Sequence, residues 1–150
     1  MNFREWLTND DYAKVDGVIW NMPHNIYGSG CMAVIVDVEK LDQLWKFRSP
    51  NDYIPPGGKH QNTAQNVMPG RYKAHADNIA QGVKSYDMAI VSCRTKKELT
   101  GEAIWPPLFH VRDGRHRLAA FRDAGFKKIA VGVLWEDADA LERMCGAPKS

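Results

Sequence analysis

Two arginines and a histidine follow directly after an Asp-Gly pair in the second half of the chain. Arg115, His116 and Arg117 come after Asp113 and Gly114, and they open a segment with helical apolar spacing that a later glycine closes. The first turn of a helix has unpaired backbone N–H groups and a partial positive charge, and both attract anions. The spacing therefore predicts a phosphate-binding turn.

The two arginines have two interpretations. In the first, Arg115 and Arg117 donate charge-assisted hydrogen bonds to phosphate oxygens, and the backbone N–H groups at Gly114 complete the site. In the second, they belong to a solvated first helical turn. Positive side chains are electrostatically unfavourable at the positive end of a helix unless an anion is bound there. The pattern therefore favours phosphate binding.

Few side chains are candidates for proton transfer or metal binding. His116 binds phosphate, acts as a general acid or packs as a structural histidine, and the sequence leaves these roles open. Asp113 either holds a divalent cation or caps the helix, and the cap is favoured. Glu102 and Asp37 are candidates for binding magnesium or orienting water. We take His116, Asp113 and Glu102 as the candidate catalytic residues, with the metal ligands unassigned.

A second helix is predicted over residues 71–81. Its apolar residues form one stripe, while Arg71, His75 and Asn78 lie at i, i+4 and i+7 on another side. A polar stripe is most often a solvated helix surface. The alternative is that Arg71 and His75 form the opposite wall of the phosphate site.

Composition and charge limit the class of protein. The chain has 150 residues, 44% of them hydrophobic, and a net charge of +2. Six lysines and arginines against two aspartates between positions 112 and 128 give that segment a charge of +4. No apolar run has the length of a membrane span and no secretory signal pattern is present, so we expect a cytoplasmic protein without membrane insertion. The three widely spaced cysteines are expected to be reduced thiols.

Apolar periodicity indicates a mixed α+β fold in one domain. A core is expected at about residues 32–135, with an N-terminal extension at 1–31 and a C-terminal helix at 136–146. A Pro- and Gly-rich loop covers residues 49–70. A Trp-Pro-Pro run at 105–107 is expected to interrupt the strand pattern before residue 108. The predicted strands lie at 17–21, 32–38, 88–93, 108–111 and 128–135, and the other predicted helices at 3–14 and 39–45.

The turn at 113–117, the helix after it and the strand at 128–133 resemble the signature half of the ParB/sulfiredoxin superfamily. In that superfamily the unit binds the phosphates of a nucleotide or of a DNA backbone. With residues 69–75 included, the chain is similar to the plasmid fertility-inhibition branch. The resemblance covers about residues 32–135. It implies a compact ParB/sulfiredoxin-like fold, with a small mixed sheet flanked by helices.

The resemblance also implies ligands. Sulfiredoxins place their catalytic cysteine where this chain has Arg115, so we do not expect a sulfiredoxin. ParB partition proteins carry an acidic residue at that position. Fertility-inhibition relatives are nucleotide hydrolases with nuclease activity, which implies ATP or another nucleotide as ligand, magnesium as cofactor, and DNA as a further partner.

Three functions follow as hypotheses. The first is a nucleotide-binding domain that hydrolyses ATP or DNA phosphodiesters with magnesium and inhibits conjugative DNA transfer. The second is a non-catalytic inhibitor that docks on a protein of a conjugation or secretion apparatus. The third is a plain DNA-backbone binder, whose affinity falls steeply with salt. The oligomeric state and the nucleotide base are left open.

Overall fold

The computed structural model describes residues 12–23, 30–58 and 68–148. Within these ranges the chain forms two mixed sheets and four α-helices, which confirms the predicted α+β class. In chain order the elements are β1 (Tyr12–Val15), β2 (Val18–Asn21), β3 (Cys31–Asp37), α1 (Val38–Arg48), α2 (Pro69–Ala80), β4 (Ser85–Asp87), β5 (Ile90–Lys96), β6 (Ala103–Asp113), α3 (Arg115–Asp123), β7 (Lys128–Leu134), a 3-10 turn (Trp135–Asp137) and α4 (Ala138–Cys145).

The larger sheet has the strand order β3-β7-β5-β6. β3 and β7 are antiparallel, from Cys31 opposite Leu134 to Asp37 opposite Lys128. β5 is parallel to β7, and β6, which is antiparallel to β5, forms the edge of the sheet opposite β3. The apolar runs of β3, β5 and β7 are almost continuously buried, as expected for strands covered on both faces.

The edge strand is longer than the sequence predicts. The expected break at 105–107 is wrong, because β6 runs without interruption over Ala103–Asp113. A proline lacks the N–H group that a central strand requires, but an edge strand tolerates one. The pairing with β5 also shifts register between Arg94 and Lys96, opposite the prolines. The strand therefore continues through them to the predicted phosphate-binding turn.

The smaller sheet has the order β1-β2-β4 and includes the N-terminal part of the described chain. The predicted helix at 3–14 is wrong over β1, and the rest of that prediction lies outside the described residues. In β1 exposed and buried side chains alternate, with Ala13 and Val15 inside, which is the period of a strand. Asp16 and Gly17, with φ of 50° and 84°, form the tight turn to β2.

One apolar core joins both sheets and the helices, and its largest buried side chains include Trp20, Trp45 and Phe121. Trp20 belongs to β2, so the predicted extension at 1–31 contributes to the core. The predicted helix at 136–146 is present as α4. Among the described residues, no helix is long and apolar enough to cross a membrane.

The guanidinium of Arg122 binds two carboxylates and one carbonyl beneath the predicted site. Its Nη1 donates to Asp42 Oδ1 at 3.0 Å and to the carbonyl of Ile54 at 2.5 Å, and its Nε donates to Asp123 Oδ1 at 2.9 Å. The guanidinium also lies 5.4 Å from the ring centre of Tyr53. These contacts join α1, α3 and the loop after α1.

Asp123 extends this network to α2. Its Oδ2 accepts hydrogen bonds from the Tyr72 hydroxyl at 2.6 Å and from the Gly57 N–H at 2.9 Å. Burial alone would raise the pKa of Asp123, but hydrogen bonds from Arg122, Tyr72 and Gly57 hold it below its usual value. The segment after α1, through the N–H of Gly57, and the helix α2 are thus both fixed to α3 by one carboxylate.

We predict that Arg122→Met lowers the free energy of unfolding by about 3 to 5 kcal/mol, because the carboxylates of Asp42 and Asp123 would lose their cation in a mostly buried site. Urea denaturation measures this loss. Arg94→Met is the matched control, since it removes only the exposed ion pair with Glu98 and should cost less than about 1 kcal/mol. Equal losses in both variants would contradict the role given to Arg122.

Candidate functional site

The predicted turn lies where β6 ends and α3 begins. Gly114 is the N-cap residue, in a left-handed conformation with φ 86° and ψ 26°, and no side chain caps the helix. The cap that the sequence favours for Asp113 is therefore wrong; Asp113 instead ends β6, opposite Ile90. Without a side-chain cap, the first N–H groups of α3 are directed to solvent or to a ligand.

A cleft of about 400 Å³ opens in front of this turn. Arg71 and His75 of α2 form one side of it, across from the first turn of α3, which is the alternative that the sequence left open for this polar stripe. The loop after α1 and the outer face of β6 complete the walls. The lining residues are Asp52, Met68, Arg71, His75, His110, Val111, Arg112, Asp113, Gly114, Arg115, His116 and Arg117.

The cleft is electropositive. Four arginines and two aspartates line it, and the positive end of the α3 dipole adds to the excess of positive charge. Arg122, which contributes to the basic run in the sequence, does not line the cleft, and Asp42 and Asp123 neutralise its charge. The positive potential comes instead from the first turn of α3 together with Arg71 and Arg112.

The two arginines of the turn are held by backbone carbonyls. Arg115 Nη1 donates to the carbonyl of Asp52 at 3.1 Å, and Arg117 Nη1 donates to the carbonyl of Met88 at 2.9 Å. Burial lowers the pKa of Arg115 from its usual high value, and the nearby Asp52 opposes this shift. A carbonyl orients a guanidinium without cancelling its charge, so these contacts position both side chains and leave the cleft positive.

His116 is packed into the wall of the cleft. Its side chain is only 8% exposed, and its Nε2 accepts the N–H of Met68 at 2.9 Å. Burial lowers the pKa of His116 to about 4, with help from Arg115, Arg71 and His75. The ring is therefore neutral at physiological pH, with its proton on Nδ1, and it joins the start of α3 to the start of α2.

His75 is half-buried beside the smaller sheet. Its Nδ1 is in hydrogen-bond contact with the hydroxyl of Tyr86. Burial lowers its pKa, and the positive charges of Arg117 and Arg71 lower it further. His75 is thus a second neutral histidine in the cleft.

Two candidate carboxylates do not reach this site. Glu102 precedes β6, pairs with Lys97 at 3.2 Å, and lies at the opposite end of the strand from Asp113. At about 3.3 Å per residue, the length of β6 separates the two carboxylates by on the order of 30 Å. Asp37 caps α1 by accepting the N–H of Lys40 at 3.0 Å. Of the four proposed catalytic or metal-binding residues, the cleft includes His116 and Asp113.

The structure adds two residues that the sequence did not indicate. Asp52 lies in the loop after α1, and its Oδ2 is 3.6 Å from Nδ1 of His110 on β6. His110 lies two residues before Arg112, so the two side chains share the exposed face of the strand. The alternation of side chains along the predicted strand at 108–111 was the available signal for His110.

Asp52 and Asp113 are the two carboxylates of the cleft to which a magnesium ion could bind. Among the described residues, no group of three or more histidines, cysteines and carboxylates is arranged to hold a metal ion. Mg²⁺ commonly takes one or two carboxylates together with phosphate oxygens and water. Asp113, at the edge of the positive cleft, fits such a mode.

Comparison with known proteins gives information about the fold of the chain. No protein-family model matches the chain, and no curated protein is significantly similar to it. Among solved structures, the chain is similar to the oncogenic suppression activity protein, a plasmid fertility inhibition factor, crystallised as a gold(I) cyanide derivative. The TM-score is 0.57 at 16% identity, over 91% of this chain and 69% of that one. Membership of the ParB/sulfiredoxin superfamily stays a prediction.

We predict that Gly114→Ala destabilises the protein more than Gly125→Ala and that only the former weakens anion binding. Both glycines have φ near +87°, so alanine is strained at either position. At Gly114 the added Cβ would also lie 2.7 Å from Nη1 of Arg117 and 3.1 Å from Cα of Ala89, whereas at Gly125 it meets nothing within 4 Å. Thermal denaturation with and without pyrophosphate measures both effects. Equal behaviour of the two variants would contradict a close-packed turn.

We predict that acidification destabilises the wild type more than His116→Gln. The pKa of His116 is about 4 in the folded state against 6.5 for an unperturbed histidine, so between these pH values the unfolded chain binds more protons. Stability is then lost as the pH falls from about 6.5 to 4, by at most about 3 kcal/mol. Urea denaturation of both proteins across this pH range is the test. If the free energy of unfolding fell equally with pH in both proteins, the assignment of His116 as a buried neutral histidine would be contradicted.

Proposed function

We propose that the chain binds the phosphate group of a nucleotide or of a nucleic-acid backbone in the positive cleft. The observation that carries this proposal is the convergence of Arg71, Arg115 and Arg117 on the first turn of α3, which no side chain caps. An anion that enters the cleft lowers the repulsion between these charges. A phosphate group has the charge and the acceptor oxygens to engage several of them at once.

Hydrolysis of the bound phosphate is the second part of the proposal. A positive cleft stabilises the charge on the equatorial oxygens during phosphoryl transfer, which is the main requirement of this chemistry. Asp113 would hold a magnesium ion that arrives with the phosphate, since the ion completes its shell with phosphate oxygens and water. The substrates that this arrangement favours are ATP and DNA phosphodiesters.

The biological role that we propose is inhibition of plasmid transfer. Its support is the similarity of fold to a plasmid fertility inhibition factor. A phosphate-binding cleft in such a protein would act on the nucleotide that drives transfer or on the DNA that is transferred. Both ligands present the same phosphate chemistry to Arg71, Arg115 and Arg117.

A second candidate function is docking on a protein of the transfer apparatus. Phe47 and Trp105 are exposed by 67% and 53%, although both are large apolar side chains. The guanidinium of Arg48 lies 5.7 Å from the Phe47 ring centre, and that of Arg143 lies 4.8 Å from the Trp105 ring centre. Exposed aromatic side chains flanked by arginines are typical of protein interfaces.

We predict that pyrophosphate, ATP and a short single-stranded DNA each raise the melting temperature, because a ligand selective for the folded state stabilises it. Arg115→Ala and Arg71→Ala should each weaken binding about 10- to 100-fold, as measured by calorimetric titration, because a charge-assisted hydrogen bond is lost. Arg94→Ala, a variant outside the cleft, should bind as the wild type does. Affinity for DNA should also fall steeply with salt.

The two candidate functions give different results in this experiment. Docking alone predicts no melting shift with any of the three ligands. It also predicts that Trp105→Ala abolishes inhibition of plasmid transfer in a mating assay and that Arg115→Ala does not. If Arg115→Ala abolishes inhibition of plasmid transfer in the mating assay and Trp105→Ala does not, the result supports phosphate binding in the cleft.

A further inference from the structure

We propose that His110, oriented by the carboxylate of Asp52, takes the proton of the attacking water when a phosphate ester is hydrolysed in the cleft. This inference rests on the proposed function, because it names the proton acceptor of that reaction. The sequence pointed to His116 instead. His110 and Asp52 both line the cleft, and Nδ1 of His110 lies 3.6 Å from Oδ2 of Asp52. This proximity is the reason for assigning the proton transfer to His110.

The other two histidines of the described chain have their ring nitrogens engaged. His116 is buried, and its Nε2 accepts a backbone N–H, so its lone pair is occupied inside the protein. His75 contacts the hydroxyl of Tyr86 through Nδ1 and lies beside Arg117 and Arg71, which disfavour a second positive charge there. All three histidines line the cleft, and His110 differs from the other two because its side chain is 53% exposed.

Asp52 gives His110 the partner that a proton acceptor needs. Nδ1 of His110 faces the carboxylate, which leaves Nε2 as the ring nitrogen with the available lone pair. A carboxylate in this position fixes the tautomer and stabilises the imidazolium that forms. The distance of 3.6 Å is beyond a hydrogen bond, and catalytic contacts of this kind commonly tighten only when substrate is bound.

The same residue links the proton acceptor to the anion site. The backbone carbonyl of Asp52 holds Nη1 of Arg115 at 3.1 Å, while its carboxylate accepts the Ser49 hydroxyl at 3.2 Å and faces His110. The next residue, Tyr53, is buried and donates its hydroxyl to Asp42 at 3.0 Å. Asp52 is thus held in place from both sides and positions an arginine and a histidine around one space.

The reaction is a hydrolysis without redox change. The oxygen of water forms a bond to phosphorus while the bond from phosphorus to the leaving oxygen breaks. Nε2 of His110 takes one proton from the water, and Asp52 stabilises the positive ring. Arg115 and Arg117 stabilise the charge on the phosphoryl oxygens. The leaving oxygen takes a proton from solvent, and His110 later returns its proton to solvent.

The test is the rate of ATP hydrolysis and of oligonucleotide cleavage, with magnesium, in His110→Ala. We expect kcat to fall about 100-fold or more, while the affinity for ATP changes less than about twofold. Added imidazole should restore part of the rate, which a merely structural role would not allow. Asp52→Asn keeps the carbonyl that holds Arg115, and it should lower kcat without weakening ATP binding.

Leu108→Ala is the matched control, because Leu108 is exposed on the same face of β6 and lies outside the cleft. It should leave the rate unchanged. A rate in His110→Ala equal to that of the wild type would overturn the assignment, as would a loss that imidazole does not restore. Wild-type protein that binds ATP but hydrolyses neither substrate would overturn this inference and leave phosphate binding intact. Absence of binding to every ligand would overturn both proposals.

Discussion

The structure depends on one buried cation, the guanidinium of Arg122. Four segments that are distant in the chain meet at it and at its neighbour Asp123: the helices α1, α2 and α3, and the loop between α1 and α2. Removing the charge from water is costly, and two carboxylates and a carbonyl offset that cost. This network holds α2 and the loop against the C-terminal end of α3, and the contacts of His116 with Met68 and of Arg115 with Asp52 hold them at its start, beside the cleft.

The basic run of α3 therefore divides into two groups by the partners of its arginines. Arg122 is paired with carboxylates, so its charge stabilises the fold and does not reach the cleft. Arg115 and Arg117 donate to the backbone carbonyls of Asp52 and Met88, and both line the cleft. A glycine cap and two arginines at the positive end of a helix favour an anion at that end. The formal charge of the sequence segment does not show this division.

Much of the fold could be predicted from local patterns, because these patterns report directly on burial. The apolar runs predicted β3, β5 and β7, and the spacing of Arg71 and His75 predicted a helix that faces the turn. The failures occurred where pairing overrides a local preference. The prolines of β6 are accommodated at a sheet edge, and the hairpin β1–β2 is set by the positive φ angles of Asp16 and Gly17.

The site was only partly predictable, because Asp52 comes from a loop whose sequence has no periodic pattern. No spacing rule connects Asp52 to His110 or to Arg115, since their proximity is created by the anchoring of the loop on Arg122. Glu102 illustrates the converse: it is close to β6 in sequence, yet the extended strand carries it away from the turn at about 3.3 Å per residue. A carboxylate that is close to a motif in sequence is therefore close to it in space only when the segment between them is compact. The proximity of Asp52 to His110 is a tertiary property, which the anchoring of the loop on Arg122 supports.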